Sequence, residues 1–153
     1  MRALIIILLT LTTSLTQAQL SPMAQALKND KNPESIALYQ SIRNYAIETW
    51  EDDHSMIVEQ INQNVDAYLN LVIGDINEQL IDAGNNGRKI FNQALKNWVH
   101  PSDEAKFNAL GSEYAIMGSW EEGRPLADVF ILMIDWPMVE EECRQQLESL
   151  NAY

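Results

Sequence analysis

The sequence predicts an all-α protein with a single helical domain of about five helices, which follows a cleaved signal peptide. Apolar residues recur at steps of three and four along most of the chain, which is the spacing of one face of a helix. Residues that begin or end helices flank these stretches. No stretch shows the alternation of a half-buried strand, and no repeat or linker divides the chain. We therefore assign residues 19–153 to one domain.

Residues 1–18 have the pattern of a secretory signal peptide. A charged start, Met1-Arg2, precedes a short apolar run from Leu4 to Leu11, and a small residue, Ala18, supplies a cleavage site. The run is shorter than the roughly 20 apolar residues of a membrane-spanning helix. We expect the mature protein to be periplasmic or secreted, without attachment to the membrane.

The first two helices of the domain have clear start signals. Asn32-Pro33 combines an N-cap with proline at the first helical position, which predicts a helix to about Thr49. Asp53 is the next candidate N-cap and begins a long helix that ends at Gly84. Gly74 lies inside this helix and allows a slight bend or the close approach of another helix. The apolar face of that helix consists of Ile57, Ile61, Val65, Tyr68, Val72, Ile76 and Leu80.

Three further helices are predicted after the turn at residues 85–87. The first ends at Pro101, the second begins after Ser102, and the last begins at Pro125 and is kinked or restarted by Pro137. Their apolar faces are Ile90, Phe91, Ala94, Leu95 and Trp98; then Phe107, Leu110, Tyr114 and Met117; and last the run 129–134 with Val139, Cys143, Leu147 and Leu150.

The chain is strongly acidic, with 10 Lys and Arg against 22 Asp and Glu and a formal net charge of −12. Loss of Arg2 with the signal peptide would make it more negative still. Such a chain repels phosphate backbones and anionic lipid, which argues against nucleic acid as a partner. It suits a basic partner, although the same charge also favours simple solubility.

Cys143 is the single cysteine, so no disulfide can form within the chain. Its place on an apolar helix face is more typical of a buried filler than of a reactive thiol. The neighbouring glutamates at 140–142 would raise its pKa and suppress the thiolate.

The residues that could carry chemistry are sparse, and we expect no enzyme activity, no cofactor and no metal. His54 and His100 do not form a metal-binding spacing, and His100 before Pro101 at a helix end is typical of a cap or a surface imidazole. The acidic cluster at residues 51–54 is more typical of a helix start than of a cation site. Glu113 is the best candidate for a glycan-cleaving acid, but a surface position on a helix explains it more simply.

Trp120 is the best candidate for a binding residue, because it follows Gly118-Ser119 in a loop and precedes Glu121 and Glu122. An exposed aromatic ring among acids could anchor a basic protein surface, and burial in the core is the alternative. Trp98 and Trp136 fall on apolar faces and are expected in the core. The candidate partner-binding residues are Trp120, Glu121, Glu122 and Glu113.

Residues 65–150 resemble the LprI-like lysozyme-inhibitor family of small exported helical proteins. The likeness is carried by Leu69-Asn70, by Ala94 to Trp98, by Gly118-Ser119, and by Arg144 with Leu147 and Leu150. The chain differs after Trp98, where Val99-His100-Pro101 replaces the family's Arg-Asp and cysteine, and Cys143 alone cannot make the family's cysteine pair. The resemblance implies inhibition of lysozyme.

These observations give the hypothesis of an exported, soluble binding protein that inhibits a cell-wall hydrolase of lysozyme type by occlusion. The partner would be a basic enzyme, either lysozyme or an incoming effector. Three alternatives remain open: an immunity protein against a peptidoglycan amidase or muramidase effector, a small helical peptidoglycan hydrolase, and a structural or assembly component of the envelope.

Overall fold

The computed structural model describes residues 18–111, 114–115 and 124–152, and these ranges contain seven α-helices. The predicted all-α class is confirmed. The helices are α1 Pro22–Asn29, α2 Pro33–Trp50, α3 His54–Ile73, α4 Asp75–Asp82, α5 Asn85–Trp98, α6 Glu104–Leu110 and α7 Trp136–Asn151. Two short 3-10 turns, Pro101–Asp103 and Leu126–Val129, and two two-residue parallel strands, β1 Tyr114–Ala115 and β2 Arg124–Pro125, complete the described elements.

Local capping contacts place the starts of α2 and α3 where the sequence predicts them. The Asn32 side chain accepts a hydrogen bond from the Glu34 N–H at 2.9 Å, and Pro33 occupies the first helical position. The Asp53 carboxylate accepts from the Met56 N–H at 3.1 Å. Both side chains satisfy amides that have no partner inside the helix, so these starts need no distant contact.

The prediction of one uninterrupted helix from Asp53 to Gly84 was wrong, because the chain breaks at Gly74 into α3 and α4. Gly74 is extended, with φ −99° and ψ −161°. A Cβ atom there would overlap the Asn70 side chain and lie 2.8 Å from the Asn70 Cα. The buried Asn77 amide donates to the Leu71 carbonyl at 3.0 Å, which satisfies a carbonyl that the break leaves free.

The segment after Pro125 also differs from its prediction. The run from Val129 to Ile134 is not helical beyond the 3-10 turn, and Ile134 forms an antiparallel bridge with Val99. The His100 N–H donates to the Met133 carbonyl at 2.7 Å, and the Asp135 N–H donates to the Trp98 carbonyl at 3.0 Å. A short apolar run fits a buried extended segment as well as a buried helix, so its period could not decide between them.

The core lies between α2, α3, α5 and α7. Trp136, 1% exposed, begins α7, and the predicted core residues Ile61 and Val72 are buried. Pro137 stands in the first turn of α7, so of its two predicted roles the restart of a helix is confirmed. No helix in the described ranges combines the length and the apolar character needed to cross a membrane.

Candidate functional site

The residues predicted to bind a partner, Glu113, Trp120, Glu121 and Glu122, lie outside the described residues. So do residues 1–17 of the predicted signal peptide and Met117, which was expected on a helix face. Tyr114, expected on the same face, lies in β1 because α6 already ends at Leu110. The described ranges offer a different exposed tryptophan among acids.

Trp50 lines a groove of about 310 Å³ between the end of α2, the first half of α3 and the start of α7. We call this surface the Trp50 groove. Its walls are mixed, with apolar side chains beside carboxylates and amides. They include Tyr45, Trp50, Met56, Gln60, Asp135 and Met138.

The Trp50 ring is exposed but held in place. It is 39% exposed at the last position of α2, and its Nε1–H donates a 2.5 Å hydrogen bond to Oε1 of Gln60 on α3. A hydrogen bond to a neighbouring helix restricts the rotamers of the indole, so little side-chain entropy remains to be lost on binding. An indole with these properties is typical of a binding anchor.

Acidic residues line the groove and follow Trp50 in the chain. The turn Glu51-Asp52-Asp53 follows it directly, Glu59 lines the groove from α3, and Asp135 lines it from the start of α7. Burial raises the pKa of the Asp135 carboxyl, and the Met138 N–H that donates to this carboxyl acts in the opposite direction. A cation brought into the groove would favour the charged form of Asp135, because opposite charges stabilise each other at short range.

The turn itself is strained at Glu51, whose φ is 51°. Residues with a side chain rarely adopt this backbone region, which costs on the order of 1–3 kcal/mol. The Asp53 N–H closes the turn on the Trp50 carbonyl at 2.9 Å.

The stretch of sequence around Trp50 lacks Lys and Arg. From residue 44 to residue 87 the chain has nine Asp and Glu and no Lys or Arg. This stretch includes the end of α2, all of α3 and all of α4. Its negative charge favours a partner with a basic surface.

His100 lies beside the groove and has a structural role. Its ring meets the Tyr45 ring edge-to-face at 5.2 Å, and its Nδ1 accepts from the Ser102 N–H at 3.2 Å, which caps the 3-10 turn. Its Nε2 lies 3.5 Å from Oε1 of Glu48, and the Ser102 hydroxyl lies 2.7 Å from Nδ1. The trio has the residue types of a hydrolase triad, but the serine is on the same turn as the imidazole and completes the cap.

The cap assigned to His100 is confirmed, whereas the prediction that Ser102 caps the next helix was wrong. Asp103 precedes α6, and its buried carboxylate accepts from the Met133 N–H at 2.8 Å.

Burial of Cys143 is also confirmed. Its pKa rises to about 12, first through burial and then through the charges of Glu142 and Glu140. No group of three or more His, Cys, Asp or Glu in the described ranges is arranged to hold a metal ion.

The tryptophans predicted in the core behave differently from each other. Trp136 is fully buried, whereas Trp98 is half-buried and donates from Nε1 to Oε2 of Glu142 at 2.6 Å. Trp50 was not among the candidate residues predicted from the sequence. The signal was available, because Trp50 precedes three acids just as Trp120 precedes two.

No family model, curated protein or solved structure matches the chain. The resemblance to the LprI-like family therefore stays a prediction from short motifs. Within the described ranges those motifs lie on α3, α5 and α7, and Gly118-Ser119 lies outside them.

Proposed function

We propose that this chain is an exported binding protein that inhibits a basic cell-wall hydrolase of lysozyme type, and that the Trp50 groove is the surface it uses. The proposal is supported by the acidic composition and by the resemblance of residues 65–150 to the LprI-like family. The observation that carries it is an exposed tryptophan, fixed by Gln60, within an acidic stretch that has no Lys or Arg.

Inhibition would work by occlusion. The acids of the Trp50 groove attract Lys and Arg side chains at the rim of the enzyme's cleft, which speeds encounter and selects basic partners. The Trp50 ring then packs against the partner and excludes water from the contact. Met56 and Met138 in the groove have flexible, polarisable side chains, so they can adapt to the shape of the bound surface.

An immunity protein against an amidase or muramidase effector would use the same surface by the same chemistry. It would differ only in the enzyme that it recognises. A panel of enzymes therefore separates the two functions, because the preferred partner is the one that the protein inhibits at the lowest concentration.

The test is titration of the purified protein against basic lysozymes and peptidoglycan amidases, with binding followed by calorimetry and inhibition followed by clearing of cell-wall suspensions. We expect Trp50→Ala to weaken binding about 30-fold or more, which corresponds to roughly 2 kcal/mol for a central aromatic anchor. Higher salt should slow association, because it screens the acids of the groove.

Ile73→Ala is the matched control. Ile73 is an apolar residue that is 61% exposed at the end of α3, and it does not line the groove. We expect this variant to bind like the parent protein. Failure to form a complex with any enzyme of the panel at micromolar concentration would contradict the proposal, as would equal effects of the two variants.

A further inference from the structure

A second and larger cleft lies between α5, α6 and α7 and has a volume of about 640 Å³. We call it the Lys89–Lys96 cleft. This volume falls in the range of small-molecule sites, roughly 300–1,000 Å³. Lys89, Gln93 and Lys96 line it from α5, Phe107 and Asn108 from α6, and Gln146 from α7.

The α5 wall of this cleft is cationic, unlike most of the molecule. The α5 residues that line the cleft include two basic side chains, Lys89 and Lys96, and no Asp or Glu. Lys89 and Lys96 are exposed and two helical turns apart, about 10 Å along the axis. Positive charge therefore runs along the cleft, which suits an extended ligand better than a lone ion.

The two lysines are available to a ligand. Neither ammonium lies within ion-pair distance of a carboxylate in the part of the chain that the structure describes. Glu142 lines the same cleft, and neutral donors rather than the lysines hold its carboxylate. Oε1 accepts from the Asn97 amide at 2.8 Å, and Oε2 accepts from the Trp98 indole at 2.6 Å.

The apolar wall of the cleft is built in advance of any ligand. Asn92 on α5 accepts from the Tyr114 N–H at 2.6 Å and donates to the Tyr114 carbonyl at 3.1 Å, which fixes β1 against α5. The buried Tyr114 ring backs the half-buried Phe107 ring, with ring centres 5.9 Å apart. Phe107 therefore gives the cleft an aromatic ring that Tyr114 supports from behind.

The remaining walls are rich in amides. Gln93, Asn108 and Gln146 are exposed lining residues on three different helices, and each offers both donors and acceptors. Hydroxyl and acetamido groups need this combination, whereas a hydrocarbon ligand would gain nothing from it. The charged residues that line the cleft are Lys89, Lys96 and Glu142, so its small excess of positive charge fits a ligand with a single carboxylate better than a polyphosphate.

We propose that the Lys89–Lys96 cleft binds a short acidic saccharide. Its carboxylate lies at the lysines, one sugar face packs on Phe107, and its hydroxyl or acetamido groups bond the amides of Gln93, Asn108 and Gln146. This site is separate from the Trp50 groove and does not require that the chain inhibit a hydrolase.

The test measures binding of four probes by calorimetry. Two probes are acidic: the disaccharide of N-acetylglucosamine and N-acetylmuramic acid, and a saturated uronate disaccharide. The other two are the neutral N-acetylglucosamine dimer and inorganic phosphate. We expect the acidic disaccharides to bind at least tenfold more tightly than the neutral dimer and phosphate. The tighter of the two acidic probes identifies wall glycan or a uronate polymer as the source.

The double variant Lys89→Gln with Lys96→Gln should reduce the affinity for the acidic disaccharide at least tenfold. Lys28→Gln with Lys31→Gln is the matched control, because it removes the same charge at the end of α1 and beyond it and should change the affinity less than twofold. Phosphate binding as tight as disaccharide binding, equal binding of the neutral dimer, or an unchanged affinity in the double variant would each overturn the proposal. Loss of saccharide binding with intact hydrolase binding would separate this site from the Trp50 groove.

Discussion

The Trp50 groove takes most of its walls from α2 and α3, whereas the Lys89–Lys96 cleft takes most of its walls from α5 and α6, and these parts of the chain differ in charge. Helix α7 contributes to both surfaces. Residues 44–87 contain nine acids and no Lys or Arg, whereas residues 88–111 contain four Lys and Arg and two acids. At physiological salt a surface charge acts over about 8 Å, so each surface responds to its own residues. The net charge of −12 therefore describes the average of the molecule and not each of its surfaces.

The two surfaces also differ in how they are held. The Trp50 groove lies at a turn between helices, with a strained residue beside an exposed anchor. The cleft depends on Asn92, which joins a strand to a helix. A mobile protein partner can adapt to a turn, whereas a small ligand needs walls that are already in place.

The largest expected effect is on the free energy of unfolding, and it distinguishes the core residue Trp136 from the exposed residue Trp50. Trp136→Ala should reduce the free energy of unfolding by about 3–5 kcal/mol, because Trp136 is 1% exposed and its removal leaves a cavity. Trp50→Ala should cost about 1 kcal/mol or less, because that ring is 39% exposed. Urea unfolding of both variants measures the difference. Equal losses would mean that Trp50 serves the core and is not an anchor.

The next effect concerns the wall of the cleft. Asn92→Ala should reduce the free energy of unfolding by about 1–3 kcal/mol, because it leaves the Tyr114 N–H and carbonyl without the bonds that Asn92 gives them. It should also weaken binding of an acidic saccharide while leaving the Trp50 groove unchanged. Chemical unfolding, together with exchange of the Tyr114 amide hydrogen, reports the change. Unaltered exchange would show that Asn92 does not hold the strand.

The smallest effect concerns the strained turn. Glu51→Gly should increase the free energy of unfolding by up to about 1 kcal/mol, because glycine adopts a φ of 51° without steric cost. Asp52→Gly is the control, since it removes the same charge from a residue without positive φ and should give no gain. Thermal melts of the two variants and the parent protein measure whether each substitution raises the stability. A gain shared by both would identify charge repulsion, and not strain, as the cause.

The sequence by itself determined the all-α class, the starts of α2 and α3, and the burial of Cys143. Each of these depends on neighbours in the chain. A cap needs a side chain and an amide two or three residues away, and an amphipathic face needs only the helical period. Such signals can be recognised in a short stretch of sequence, because they need no contact with a distant part of the chain.

The tertiary structure alone decided the break at Gly74, the extended segment before α7, and the formation of the two surfaces. The Val99–Ile134 bridge and the Asn92–Tyr114 bonds join residues far apart in the chain, and no local pattern encodes them. Trp50 shows the boundary most clearly. Its acidic neighbours are visible in the sequence. Its exposure, however, depends on how α2, α3 and α7 pack around it. Packing, and not composition, determines which surface of a side chain is in contact with water.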